Sequence, residues 1–187
     1  MKIISSDNYS IASFATADRQ SPDFADNFGW LTTGISDSNS HVTIREQYGS
    51  STWGKYDRFI FRDILSGAKK VLFARNRSDS RCAGYATFES NYDGTKALLA
   101  YIAVHPDDRG NKVSYRLIEG IFHKNIRLTT LELNVRGTAT AALHTYRGLA
   151  NRGFAVGEFD DGNTYRNGDP MIHFTITDQK RQSLLSS

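Results

Sequence analysis

Arg109, Gly110, Asn111, Lys112, Ser114 and Arg116 occupy six of eight consecutive positions. Together they offer three cations, two small residues and one position free to turn either way. That combination suits capture of an anion better than the breaking of a bond. Arginine and lysine neutralise phosphate oxygens, and a small residue lets the backbone come close to a ligand. A helix starting at this point adds its first amides and the positive end of its dipole. A diphosphate carrying one further phosphate would use all three cations.

The flanking elements must hold this loop in place. Leu98–Val104 is a short, evenly apolar run, as expected of a strand buried inside a sheet. Pro106 ends the run because it has no N–H for the ladder. Val113–His123 then has helical spacing, with Val113, Leu117 and Ile121 on one face. Upstream, Val71–Arg75, Cys82–Phe88 and the turn Asn91–Gly94 predict antiparallel strands joined as hairpins. Downstream come a strand at Leu131–Val135, a helix from about Thr138 to Asn151, and short strands around Val156–Phe159 and Met171–Thr177. Met1–Ser5 is expected as a first strand followed by a helix, and Tyr56–Leu65 as a helix closing near Gly67. Between them, Arg19–Gly54 is expected to be irregular and packed on the domain, and the polar end from Asp178 to be frayed.

Composition narrows the function. A chain of 187 residues with 39% hydrophobic content accommodates one well-packed α/β domain. No apolar run reaches the roughly 20 residues of a membrane span. The single cysteine, Cys82, cannot form an internal disulfide and is expected to be a buried small hydrophobe in a cytoplasmic protein. A net charge of +3 is too small to argue for nucleic acid. The five histidines lack metal-ligand spacing, so no metal is expected. The glycine-rich phosphate loop of nucleotide triphosphatases is absent.

The phrase Val104-His105-Pro106-Asp107-Asp108-Arg109-Gly110-Asn111-Lys112-Val113-Ser114 resembles the signature of the GNAT superfamily of N-acetyltransferases. That signature follows a strand ending in Val-x-Pro and sets Arg or Gln, two residues, Gly, one residue, then Gly or Ala. Arg109 opens it, Lys112 stands where Gly is usual, and Ser114 stands where Gly or Ala is usual. The order strand, strand, strand, helix, strand, helix, strand, strand also resembles the family, from Ala68 to Thr177.

The resemblance implies one α/β (α+β mixed) domain over residues 1–187, with a central mixed, mostly antiparallel sheet flanked by helices. Residues 1–67 would form the acceptor side, 68–177 the acyl-CoA core, and 178–187 a tail. It further implies transfer of an acetyl group from acetyl-CoA, as co-substrate, directly to a primary amine of a small molecule or a protein. A homodimer is compatible with it. The main chain at Ile102, Ala103 and Val104 would meet the thioester carbonyl. Arg109, Gly110, Asn111, Lys112, Val113, Ser114 and Arg116 would hold the CoA phosphates, with the Lys112 ammonium either crowding or reaching them. Trp30, Trp53 and Tyr56 are candidates for lining the acceptor pocket.

The family's proton donor is a Tyr on the helix after the fifth strand. Counting forward from Val135 places that position at His144, while Tyr146 lies two residues on, about 200° around the helix. Both remain candidates. Glu89 is the candidate base, acting through water, and His105 is expected to be an ordinary exposed turn residue. The alternative is a degenerate module that binds acyl-CoA or a partner protein without turnover.

Overall fold

A computed structural model describes residues 8–14, 62–63, 66–79, 82–165 and 168–185. The expectations for Met1–Ser5, for Arg19–Gly54 with Trp30 and Trp53, for Tyr56, and for most of the helix up to Leu65 lie outside these residues. Arg62 and Asp63 are helical, and Gly67 follows with φ +76°, the left-handed conformation expected at a helix end.

Seven strands form one mixed sheet: β1 (Tyr9–Phe14), β2 (Lys70–Asn76), β3 (Cys82–Ser90), β4 (Lys96–Val104), β5 (Thr130–Arg136), β6 (Phe154–Thr164) and β7 (Pro170–Asp178). Their spatial order is β1-β2-β3-β4-β5-β7-β6, which puts the apolar β4 in the middle as its composition requires. Among the described residues, the helices that accompany the later strands are α1 (Val113–Lys124), α2 (Thr140–Gly148) and α3 (Gln179–Leu185). No helix among the described residues is long and apolar enough to cross a membrane.

The chain divides into two compact units, Met1–Glu89 with Tyr101–Ile121, and Ser90–Ala100 with Phe122–Ser187. In the first, β1 pairs antiparallel with β2, and β2 with β3. The predicted face of α1 is the buried one, with Val113, Leu117 and Ile121 at most 1% exposed. Gly120 lets the helix settle closely, because a Cβ there would stand 2.8 Å from Ile11 Cγ2 and 3.4 Å from Leu72 Cδ1. Each fully buried aliphatic side chain of this kind is worth about 1.5–3 kcal/mol of transfer free energy.

In the second unit β5 begins parallel to β4, over Lys96–Leu98 and Thr130–Glu132, and pairs antiparallel with β7 along its whole length. Leu131, Leu133 and Val135 alternate inward, as the period of a strand demands. Phe122 meets Phe154 at 5.3 Å, and Leu143, Tyr146 and Leu149 are buried.

Three sequence expectations are corrected. Tyr9–Phe14 is a strand where a helix was expected. The single helix to Asn151 is α2 followed by a tighter 3-10 turn over Leu149–Arg152, ended by Gly153 at φ 87°. The polar end from Asp178 is the ordered helix α3, whose Arg181 donates to the Asn125 carbonyl at 3.1 Å and pairs with Asp178 at 3.4 Å.

Candidate functional site

The loop predicted to take an anion is built as a stack of tight turns. His105 caps the 3-10 turn Pro106–Asp108, its Nδ1 accepting from the Asp107 amide at 3.3 Å. The Arg109 amide then donates to the Pro106 carbonyl and the Asn111 amide to the Asp108 carbonyl, both at 3.3 Å. This corrects the reading of His105 as an exposed turn residue, since its side chain is 15% exposed and shapes the turn.

Gly110 and Lys112 both sit at positive φ, 78° and 63°, and Lys112 is the only non-glycine among the described residues to do so. The position where the signature carries Gly therefore keeps a left-handed backbone with a lysine in it. α1 starts immediately afterwards, with the Arg116 amide donating to the Lys112 carbonyl at 3.2 Å. The amides of Val113, Ser114 and Tyr115 thus belong to the first turn, which has no acceptor four residues back inside the helix.

Arg109, Lys112 and Arg116 surround this turn, and no acid lies in it. Cations at a helix N-terminus oppose the macrodipole by about 0.3–1 kcal/mol each unless an anion joins them. Partial shielding pushes the pKa of the Arg109 guanidinium down, yet an arginine remains charged.

β4 departs from an even register with β3. The Asn91 amide donates to the Lys96 carbonyl at 2.9 Å, and the His105 amide to the Ala83 carbonyl at 2.8 Å. From Ala83 to Asn91 the chain advances eight residues, whereas Lys96 to His105 takes nine. The extra residue on β4 is a β-bulge. Gly84 on β3 lies close against the end of β4. A Cβ on Gly84 would stand 2.6 Å from the Ala103 carbonyl oxygen, 3.2 Å from Val104 Cα and 3.3 Å from Val113 Cγ1. The Ala103 carbonyl thus fills the space of a missing side chain on β3. Because the peptide is trans, the Val104 N–H points the opposite way. Ile102, Ala103 and Val104 are each half-buried.

Glu89 is half exposed and lies 4.0 Å from Lys69 Nζ, which bonds Asp63 at 2.9 Å. It stands five residues along β3 from Gly84, roughly 17 Å at the rise of a strand, so the structure does not bring it to the bulge. The candidate proton donors lie in the second unit. His144 is exposed on α2, whereas Tyr146 is 4% exposed with its ring 5.4 Å from Phe174. Burial, with a smaller contribution from Tyr165, pushes the Tyr146 phenol well above its ordinary pKa. Arg147 fixes the end of α2 through a bidentate pair with Glu158, at 2.8 and 2.6 Å. No group of three or more metal-ligating side chains occurs among the described residues. Cys82 is buried, at 2% exposure.

Sequence reasoning missed Gly84 and Asp108. A glycine inside an apolar strand signals a close backbone approach, and that signal was available at Gly84. Asp108 had none, because its partners are distant in sequence.

The profile of the Acetyltransferase (GNAT) family matches residues 39–150, more than half of the chain. A chimeric spermidine N-acetyltransferase from Vibrio cholerae SpeG and hSSAT superposes with a TM-score of 0.62 at 15% identity, covering 94% of this chain and 98% of that one. A putative GNAT-family acetyltransferase from Desulfovibrio desulfuricans gives 0.62 at 16%, with 90% and 98% covered. A ribosomal-protein alanine N-acetyltransferase from Escherichia coli gives 0.54 at 17%, with 91% and 94% covered. At these identities the likeness is one of fold. No curated protein matches the chain.

Proposed function

The chain belongs to the GNAT acetyltransferase family, and on that premise we propose that it moves an acetyl group from acetyl-CoA directly to a primary amine. The observation that carries this reading is the left-handed Lys112 at the mouth of α1, flanked by Arg109 and Arg116. A side chain other than glycine holds that conformation at a cost of roughly 1–2 kcal/mol. Such a cost is reasonable where the backbone path itself binds the ligand. The loop amides and the three cations would take the diphosphate and the further phosphate of CoA.

The chemistry needs little more. The neutral amine attacks the thioester carbonyl carbon, a C–N bond forms, and the oxygen gains negative charge. The Val104 N–H, turned out of the ladder by the bulge, is the donor assigned to that oxygen. As the intermediate collapses the C–S bond breaks, and CoA leaves as a thiolate that takes a proton. His144 is assigned as that donor, since its side chain is exposed on α2, whereas burial penalises the anion that Tyr146 would become. The proton lost by the amine passes to water. Holding two substrates together supplies much of the rate enhancement.

The test is thiol release from acetyl-CoA with spermidine, a lysine peptide and a peptide beginning with alanine. Release dependent on one amine, with the acetyl group found on nitrogen, supports the reading. CoA binding without release for any amine would instead identify a non-catalytic acyl-CoA-binding module.

A further inference from the structure

Asp108 is the least expected residue of the loop. It closes the 3-10 turn immediately before Arg109, yet its carboxylate is only 3% exposed. Burying a carboxylate is costly unless hydrogen bonds compensate for lost water. Here two reach Oδ1, one from β1 and one from the end of β2. Tyr9 Oη on β1 donates to Asp108 Oδ1 at 2.9 Å across 99 positions of sequence, and Asn76 Nδ2 at the end of β2 approaches the same oxygen at 3.5 Å. Tyr9 and Asn76 are direct cross-strand partners, so pairing of β1 with β2 aims both donors together. The Asn76 amide is oriented in turn, because its Oδ1 accepts from Ser78 N at 3.0 Å and Ser78 Oγ at 2.8 Å. On the other side, His105 Nδ1 lies 3.9 Å from Asp108 Oδ2.

We propose that Asp108 is a positioning residue, held by Tyr9 and Asn76, that fixes the backbone of Arg109–Lys112 in the shape that receives the CoA phosphates. The clasp acts on a segment between strand and helix. β4 ends at Val104 and α1 begins at Val113, so the residues between lie outside both elements. The buried hydrogen bond from Tyr9 to Asp108 pins the turn two residues ahead of Gly110, the first of the two left-handed residues. The inference rests on the acyl-CoA reading of this loop.

The experiment compares wild type, Tyr9→Phe, Asp108→Asn and Asp108→Ala. Tyr9→Phe removes one hydroxyl and leaves the ring in the core. CoA affinity is read by calorimetry, acetyl-CoA KM and kcat are separated, and amide hydrogen exchange is followed across 109–113. Tyr9→Phe is expected to weaken CoA binding about three- to tenfold. KM should rise in parallel, kcat at saturation should stay within about twofold, and exchange should accelerate at 109–113. Asp108→Asn, which still offers Tyr9 an acceptor oxygen, should lose less than Asp108→Ala. Unchanged CoA affinity in a folded Tyr9→Phe protein overturns the clasp while leaving the acyl-CoA reading intact. A uniform loss of stability without a local change at 109–113 overturns it too, by showing a structural role only. If wild type itself binds no CoA, the functional reading fails first and the clasp falls with it.

Discussion

Lys112 holds φ 63° where the family signature carries glycine, so its side chain and its backbone can be separated by experiment. Lys112→Gly should stabilise the ligand-free protein by about 1 kcal/mol, raising Tm by roughly 2–4 °C at this chain length. The same change should weaken CoA binding and flatten its salt dependence, because one cation is lost from the proposed phosphate site. Unchanged affinity would restrict Lys112 to its backbone role. The two proton-donor candidates differ as sharply, one exposed and one buried. His144→Ala should lower kcat about 100-fold or more while leaving CoA affinity unchanged. Tyr146→Phe should act chiefly on stability. Burial raises the Tyr146 pKa in the folded state, so its contribution is complete below the ordinary phenol value of about 10 and is lost as pH rises beyond it. Alkaline denaturation of Tyr146→Phe should therefore be less steep above about pH 10 than that of wild type. The carboxylate of Asp63 has the opposite sign. Its hydrogen bond to Lys69 holds it below the usual range, giving stability that is present above about pH 4 and lost as acid protonates it. Lys69→Ala should thus destabilise at neutral pH and leave a shallower acid transition.

β4 and its neighbour β3 show how an element can be required for what it lacks. Gly110 adopts φ 78° in open space, so its requirement is conformational, whereas Gly84 is required because the Ala103 carbonyl lies where a side chain would begin. Gly84→Ala should cost at least about 1–3 kcal/mol from overpacking. If the bulge carries the thioester-facing amide, kcat should also fall on the order of 100-fold while CoA affinity changes little. Equal activity in a folded Gly84→Ala protein would separate the bulge from the chemistry. The hairpins, β5 and α1 were legible because their apolar periods are clear, and Gly94 and Gly137 mark a hairpin turn and the end of β5. β1 was not, since Tyr9–Phe14 mixes serine and alanine with single large apolar residues and becomes a strand only by pairing with β2. α3 was hidden by its polar composition, and the bond from Arg181 to the Asn125 carbonyl is a tertiary contact that local pattern does not reveal. The tie between Tyr9 and Asp108 is of the same kind.

Across the whole molecule, a seven-stranded mixed sheet brings an irregular central strand, a turn of cations and a helix start into immediate succession. A formal net charge of only +3 makes the local concentration at Arg109, Lys112 and Arg116 informative, because a generally basic surface would not need to gather its charge at a helix start. Binding at such a place should weaken as salt rises, and a bound CoA should raise Tm by mass action. The signature loop was readable from residue types alone, but its left-handed lysine, its bulge and its buried aspartate were not, as each depends on backbone path or on partners far along the chain. The decisive measurement is a calorimetric titration of the folded wild-type protein with CoA, at low and at high salt. One-to-one binding that weakens with salt and is lost in Arg109→Ala with Arg116→Ala is the expected result. Absence of binding to a protein that still melts cooperatively would contradict it.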